Sequence, residues 1–279
     1  MNGQSGQLVA APIRFVHDVC VPALIFASLL FLPLQWAFVV IFATGYGHIG
    51  LGYWYMFHSK KQKRLPLALI GLLLFIIAAL VTLLVSDHMY VRIAVGVLFS
   101  IHFLFDEFAT RAETISGPAW LTVVTFFVLF NALSVIPTFF GVPYALLIGI
   151  VALSLYGVRF LFSAKVSTSE RYAMYLSIGI FFLLFTEHSV EKSLGFIILL
   201  HGYNWFVAYG ERVQNDPVRS FAYWRNVGIA LSLSVGGYAL FALSYAPFLQ
   251  YLFVPYFFFL WTIAHIFMTL RVPLFLTKR

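Results

Sequence analysis

The sequence predicts an all-α protein, a polytopic transmembrane helix bundle of about eight to ten spans with both termini cytoplasmic. Three observations carry that expectation. Apolar residue types make up 62% of the chain and charged ones only 10%, too few polar groups to cover a water-soluble globule. The apolar residues come in long continuous runs rather than in alternation, which excludes a β-barrel. The basic residues gather in alternate connections, as expected when every second connection faces the cytoplasm. Residues 1–279 therefore read as a single transmembrane domain, with connections too short for a separate soluble one.

A spanning helix needs about 20 predominantly apolar residues at a rise of about 1.5 Å each. Taken in order, the runs are 18–33, 35–58, 65–85, 91–110, 118–137, 142–162, 172–187, 194–210, 226–245 and 248–270. The first run, interrupted by Pro22 and ended by Pro33, and the seventh are short, so eight or nine spans satisfy the pattern as well as ten. The polar, glycine-rich stretch Met1–Ala10 has no basic n-region and no signal-peptide cleavage pattern. With ten spans and the N-terminus inside, all but Arg92 and Lys192 of the 17 basic residues face the cytoplasm. The net charge of +7 is thereby assigned to orientation, and a nucleic-acid role loses its support because the basic residues are split among separate loops. The expected location is a bacterial or archaeal cell (inner) membrane. The single cysteine, Cys20, excludes an intramolecular disulfide, a Cys-based zinc ribbon and an iron–sulfur cluster, so metal chemistry would run on His, Asp and Glu.

Ionisable groups inside spans are costly and mark functional sites by default. His48 lies twelve residues before Lys60, roughly 18 Å from the cytoplasmic edge. His102 lies nine before Arg111, roughly 13 Å; His201 ten before Glu211, roughly 15 Å; and His265 six before Arg271, roughly 9 Å. Four helices thus each place one histidine in a common layer. A first-row metal ion takes neutral imidazoles of this kind, and a site buried in lipid with only nitrogen ligands suits Fe(II) and O₂ better than zinc. Asp106, four residues after His102, shares its helical face about 6 Å nearer the cytoplasm and is a candidate acceptor for an imidazole N–H. Glu107 is turned about 140° from His102 and is expected to pair with Arg111. Tyr203 and Asn204 flank His201, with Asn204 placed to orient a ligand or a water.

The structural readings of the same residues are ordinary. A lone membrane histidine most often hydrogen-bonds between helices. His58 is interfacial, and His17, His88 and His188 lie at span ends. His188 with Glu187 and Glu191 forms a possible outer metal site, against which a solvated turn is the commoner outcome. Gly45, Gly47, Gly50 and Gly52 allow close helix approach around His48 or clear space for a bulky apolar substrate. Phenylalanines near His102 and His265 serve either as filler or as the lining of a polyene tunnel.

The histidine segments resemble the Brp/Blh family of membrane-integral β-carotene 15,15′-dioxygenases. Gly45-Tyr46-Gly47-His48-Ile49-Gly50-Leu51 is similar to that family's Gly-Leu-Pro-His-Gly-Ala-Leu segment, without its proline. Ser100-Ile101-His102-Phe103-Leu104-Phe105-Asp106-Glu107 is similar to its Ile-Ile-His-Phe-Gly-x-x-Asp segment, with Glu107 at the acid position. Ile263-Ala264-His265-Ile266 is similar to its Pro-His-Met segment. The eighth run departs from the family pattern His-x-x-x-His, having His201 and then Trp205. The resemblance implies a non-haem iron oxygenase that uses O₂ on a carotenoid-like lipid or isoprenoid, with retinal as the family's product. It implies His48, His102 and His201 as iron ligands and His265 as a ligand or near neighbour. Two other classes remain open from the sequence. Histidines on membrane helices also ligate haem in electron-transfer proteins, and Asp106, Glu107 and the histidines could form the proton path of a transporter.

Overall fold

The computed structural model describes residues 16–58, 97, 99–104, 106–108, 119–139, 141–161, 166–187, 189–253, 258, 261, 262, 265 and 266. Every regular element among them is helical. A π-turn over Val16–Cys20 runs into α1 (Val21–Phe31), followed by α2 (Leu34–His58), α3 (Ala119–Phe139), α4 (Val142–Leu161), α5 (Thr168–Glu187), α6 (Val190–Val213) and α7 (Pro217–Ala242). A short 3₁₀ turn (Pro247–Leu249) leads to α8 (Gln250–Phe253). Residues 99–104 and 106–108 are also helical, as are 258, 261, 262, 265 and 266. The run 65–85, the basic loop 60–64, and Arg92, Arg111, His88, His188, Arg271, Lys278 and Arg279 lie outside the described residues.

Helix boundaries follow local chemistry. Gly141, at φ 88°, turns the chain between α3 and α4 in a conformation that a side chain would resist. Ser167 and Glu170 form a reciprocal capping box at the start of α5: the Ser167 hydroxyl accepts from the Glu170 N–H at 3.2 Å, and the Glu170 carboxylate accepts from the Ser167 N–H at 3.0 Å. Ser189 caps α6 by accepting from the Lys192 N–H. Asp216 caps α7 by accepting from the Val218 and Arg219 N–H groups, with Pro217 at the first helical position.

Two helices among the described residues are long and apolar enough to cross a membrane, Leu34–Tyr55 and Pro143–Leu161. α4 is built inside out relative to a soluble helix. Its outward residues Leu147, Ile150, Val151, Leu155 and Val158 are exposed, and the exposed Ser154 hydroxyl donates back to the Ile150 carbonyl at 2.8 Å. Its one charged residue, Arg159, points inward and meets Glu170 of α5.

α2 packs against α6 and α7, α3 against α4 and α5, and α5 against α6. The largest apolar cluster joins α1, the start of α2, α3, α4, α5, α6, the 99–108 segment and Ile266. A second joins α2, α6 and α7 through Leu51, Trp205, Phe206, Tyr223 and Val227. A third, aromatic one joins α2 and α7 to Phe253 and Phe258. The sequence-derived histidine layer lies where these three clusters meet.

Candidate metal centre

On α2, residues 47–49 and 51 are buried, so His48 is aimed into the bundle. On α6 the inward face is His201, Gly202, Trp205 and Phe206, the i, i+1, i+4, i+5 pattern of one helical face. On the 99–108 segment the inward residues include Phe99, His102, Phe103 and Glu107. His265 arrives from the C-terminal segment, beside Ile266 and Thr262.

These placements bring the four histidines together, each no more than 5% exposed. One donor nitrogen from each of His48, His102 and His201 lies within 4.8 Å of the others. The ring of His265 completes the group, with its centroid 4.6 Å from that of His48 and 5.6 Å from that of His102. The His48–His201 and His102–His201 centroid separations are 4.9 and 5.2 Å, and all four of these pairs meet edge to face. The rings wall a cavity of about 20 Å³, room for one water-sized occupant. The other walls are Gly45, Ile49, Phe99, Ile198, Phe258, Thr262 and Ile266, and the Thr262 hydroxyl is committed to the Phe258 carbonyl at 2.9 Å. The cavity's free polar chemistry is therefore imidazole.

Both ring nitrogens of His48 and both of His201 are buried without a hydrogen-bond partner. Buried polar atoms are nearly always satisfied, and leaving one bare costs about 1–3 kcal/mol. A metal ion bound by nitrogen at about 2.0–2.1 Å draws its ligands to about 3.3 Å from each other, so a modest closure of this triad satisfies one bare nitrogen on each ring. The donor set fits a first-row ion.

Small residues make the convergence possible. A Cβ on Gly202 would stand 2.6 Å from the Thr44 methyl, so α2 and α6 touch beside His201 because position 202 has no side chain. A Cβ on Gly52 would stand 3.3 Å from His265 Cε1, so the His265 ring occupies the space left one turn below His48. Gly45 and Gly47 receive Phe258 and Leu231 in the same way, whereas Gly50 faces open space. Trp205, at the position of the resembled family's second histidine, packs its ring edge to face on His48 with centroids 4.7 Å apart.

The polar residues near the histidines are placed differently from the sequence expectation. Asp106 Oδ2 lies 4.0 Å from Nδ1 of His201 on the neighbouring helix, an approach that the wheel of its own helix does not show. Glu107 is buried, and its two carboxylate oxygens accept from the Asn204 amide nitrogen at 3.0 and 3.1 Å. Asn204 therefore holds a carboxylate rather than a ligand or water, and the expected partner Arg111 lies outside the described residues. The Tyr203 side chain hydrogen-bonds His17 Nδ1, away from the cavity. The side chain of Glu187 and all of His188 fall outside the described residues, as does the outer site they suggested. Sequence reasoning missed Phe99 and Thr262 as cavity walls and the Gly202–Thr44 contact. The signal for the last was present, a glycine directly after a membrane histidine.

No family model, no curated protein and no solved structure matches the chain.

Proposed function

We propose that the chain is a polytopic membrane protein and a non-haem iron oxygenase acting on an apolar lipid or isoprenoid of carotenoid type. The observation that carries this reading is the group of four buried histidines around one small cavity, two of them with both ring nitrogens bare. Three or four imidazole ligands leave coordination positions open, and iron bound there would supply the activation of O₂. The chain's own contribution is to hold the ligands and exclude water. Phe99, Ile198, Phe258 and Ile266 close the cavity with apolar surface and offer no charged or hydrogen-bonding anchor to a polar substrate. The edge-to-face packing of the imidazoles favours a single small ion over a haem, because it leaves no slot for a macrocycle between them. The inside-out character of α4 supports the membrane assignment.

Metal analysis of the purified protein tests the reading. Stoichiometric iron is expected, and the double substitution His102→Ala with His201→Ala abolishes it; a metal-free protein, or full metal retention in that variant, rejects the proposal. Pigment analysis of β-carotene-producing cells that express the chain then addresses substrate, with loss of orange colour and appearance of retinal as the carotenoid outcome.

A further inference from the structure

The 99–108 segment and α6 each carry one histidine of the cavity, and they are joined by polar contacts one turn below it. Asp106 follows His102 by four residues and faces His201 Nδ1 at 4.0 Å. Glu107 follows by five and accepts at 3.0 and 3.1 Å from the amide of Asn204, which itself follows His201 by three. The His102 and His201 rings meet directly above, with centroids 5.2 Å apart. The Glu107–Asn204 hydrogen bonds tie the two helices at a point about one turn from both histidines, and Asp106 stands beside it, 4.0 Å from His201 Nδ1. Simple helix packing would not call for this chemistry. A carboxylate buried at 4% exposure carries a large desolvation cost, and here its hydrogen bonds come from a side chain one turn from a candidate ligand.

We propose that Asp106, Glu107 and Asn204 are positioning residues for the metal site. Glu107 and Asn204 lock the register that sets His201 against His102, and Asp106, 4.0 Å from His201 Nδ1 and not hydrogen-bonded to it, is the carboxylate that would take the Nδ1 N–H once a bound metal draws the rings together, leaving Nε2 as the nitrogen presented to the cavity. The inference rests on the metal-site reading above. It adds which side chains set the geometry and which nitrogen of His201 binds. Partners of metal-bound histidines typically contribute about 10–100-fold to metal affinity.

Cobalt(II) titration of the full-length purified protein, followed by its visible ligand-field bands, is the test. Replacing both members of the buried pair, Glu107→Met with Asn204→Leu, leaves no bare carboxylate behind and is expected to preserve helicity. It should nevertheless bind cobalt at least about tenfold more weakly, with shifted bands. Glu107→Gln keeps an oxygen to accept from Asn204 and should restore most of the affinity. Asp106→Leu should weaken binding by a similar factor, and Asp106→Asn should recover part of it. Wild-type affinity and spectrum in the Glu107→Met/Asn204→Leu protein overturn the inference while leaving the metal reading intact. Should that protein not fold, Asp106→Leu decides in the same way. A wild-type chain that binds no cobalt overturns both.

Discussion

Gly202 shows how one atom's absence governs the site. An alanine Cβ there would meet the Thr44 methyl at 2.6 Å, and a β-branched threonine on a helix has little rotamer freedom with which to retreat. α2 and α6 would have to separate. Thr44 lies one turn before His48 and Gly202 directly after His201, so the separation opens the imidazole pair whose centroids now stand 4.9 Å apart. Gly202→Ala is expected to destabilise the protein by about 1–3 kcal/mol and to weaken metal retention. Gly50→Ala, where an added Cβ meets nothing, should be neutral or stabilising by up to about 1 kcal/mol. Thermal unfolding in detergent compares the two, and equal stability refutes the packing argument. At this scale the grouping of the four histidines was legible in the sequence, because each lies a similar number of helical residues from a charged boundary. Rotation was not. A helical wheel relates Glu107 to His102 on its own helix, but it does not say which neighbour fills the face where Glu107 points; that neighbour is Asn204, about a hundred residues away in the chain. Tyr203 was read beside His201 for the same reason and is turned to His17 instead.

The junction of α4 with α5 shows the same limit between elements. Arg159 reads in the sequence as one more cytoplasmic charge. In the structure it is drawn into the capping box at the start of α5. Glu170 completes its capping box and also accepts from Arg159 Nε at 3.0 Å, from Arg159 Nη2 at 2.6 Å and from the Thr122 hydroxyl at 3.2 Å. One carboxylate thus ties α3, α4 and α5 at a point where both charged partners are buried. Removing one member of such a pair strands a charge, so Glu170→Gln should cost about 3–5 kcal/mol. Arg159→Met with Glu170→Met removes both charges and should recover most of that loss. The pair of thermal transitions is the check, and a double variant no more stable than Glu170→Gln contradicts the assignment. Ser169 extends the junction toward the candidate metal centre, its hydroxyl donating to the Glu107 carbonyl at 3.5 Å. This places α5 behind the segment that carries His102.

Across the described residues, large apolar side chains lie on the outside as well as in the core, and several charged groups are buried. The charged and imidazole groups Arg159, Glu170, Glu107, Lys192 and the four cavity histidines are inside, while large apolar and aromatic side chains such as Leu121, Val124, Leu147, Ile150, Phe182 and Phe185 lie on the outward faces of α3, α4 and α5. In water that surface would drive association; in hydrocarbon it needs no partner, and the close contacts at glycine supply the packing between helices. The charge pattern predicts an orientation that can be measured. The turn after α6, with Arg212, Arg219 and Arg225 nearby, belongs to the cytoplasmic side under the charge rule, and the α1–α2 connection, which lacks basic residues, to the opposite side. On that prediction α2 would cross the bilayer: its 25 residues span about 37 Å, against a hydrocarbon core of about 30 Å. Gln35 in the first turn of α2 and Gln214 after α6 are both exposed, and the single native thiol, on Cys20, can be removed by Cys20→Ser. In that background, Gln35→Cys should react with a membrane-impermeant maleimide from outside intact cells and Gln214→Cys only in inverted vesicles. Labelling of both from one side would break the link between the charge pattern and the histidine depths. The four-histidine cavity would remain, but its place in the cytoplasmic half of a membrane would not.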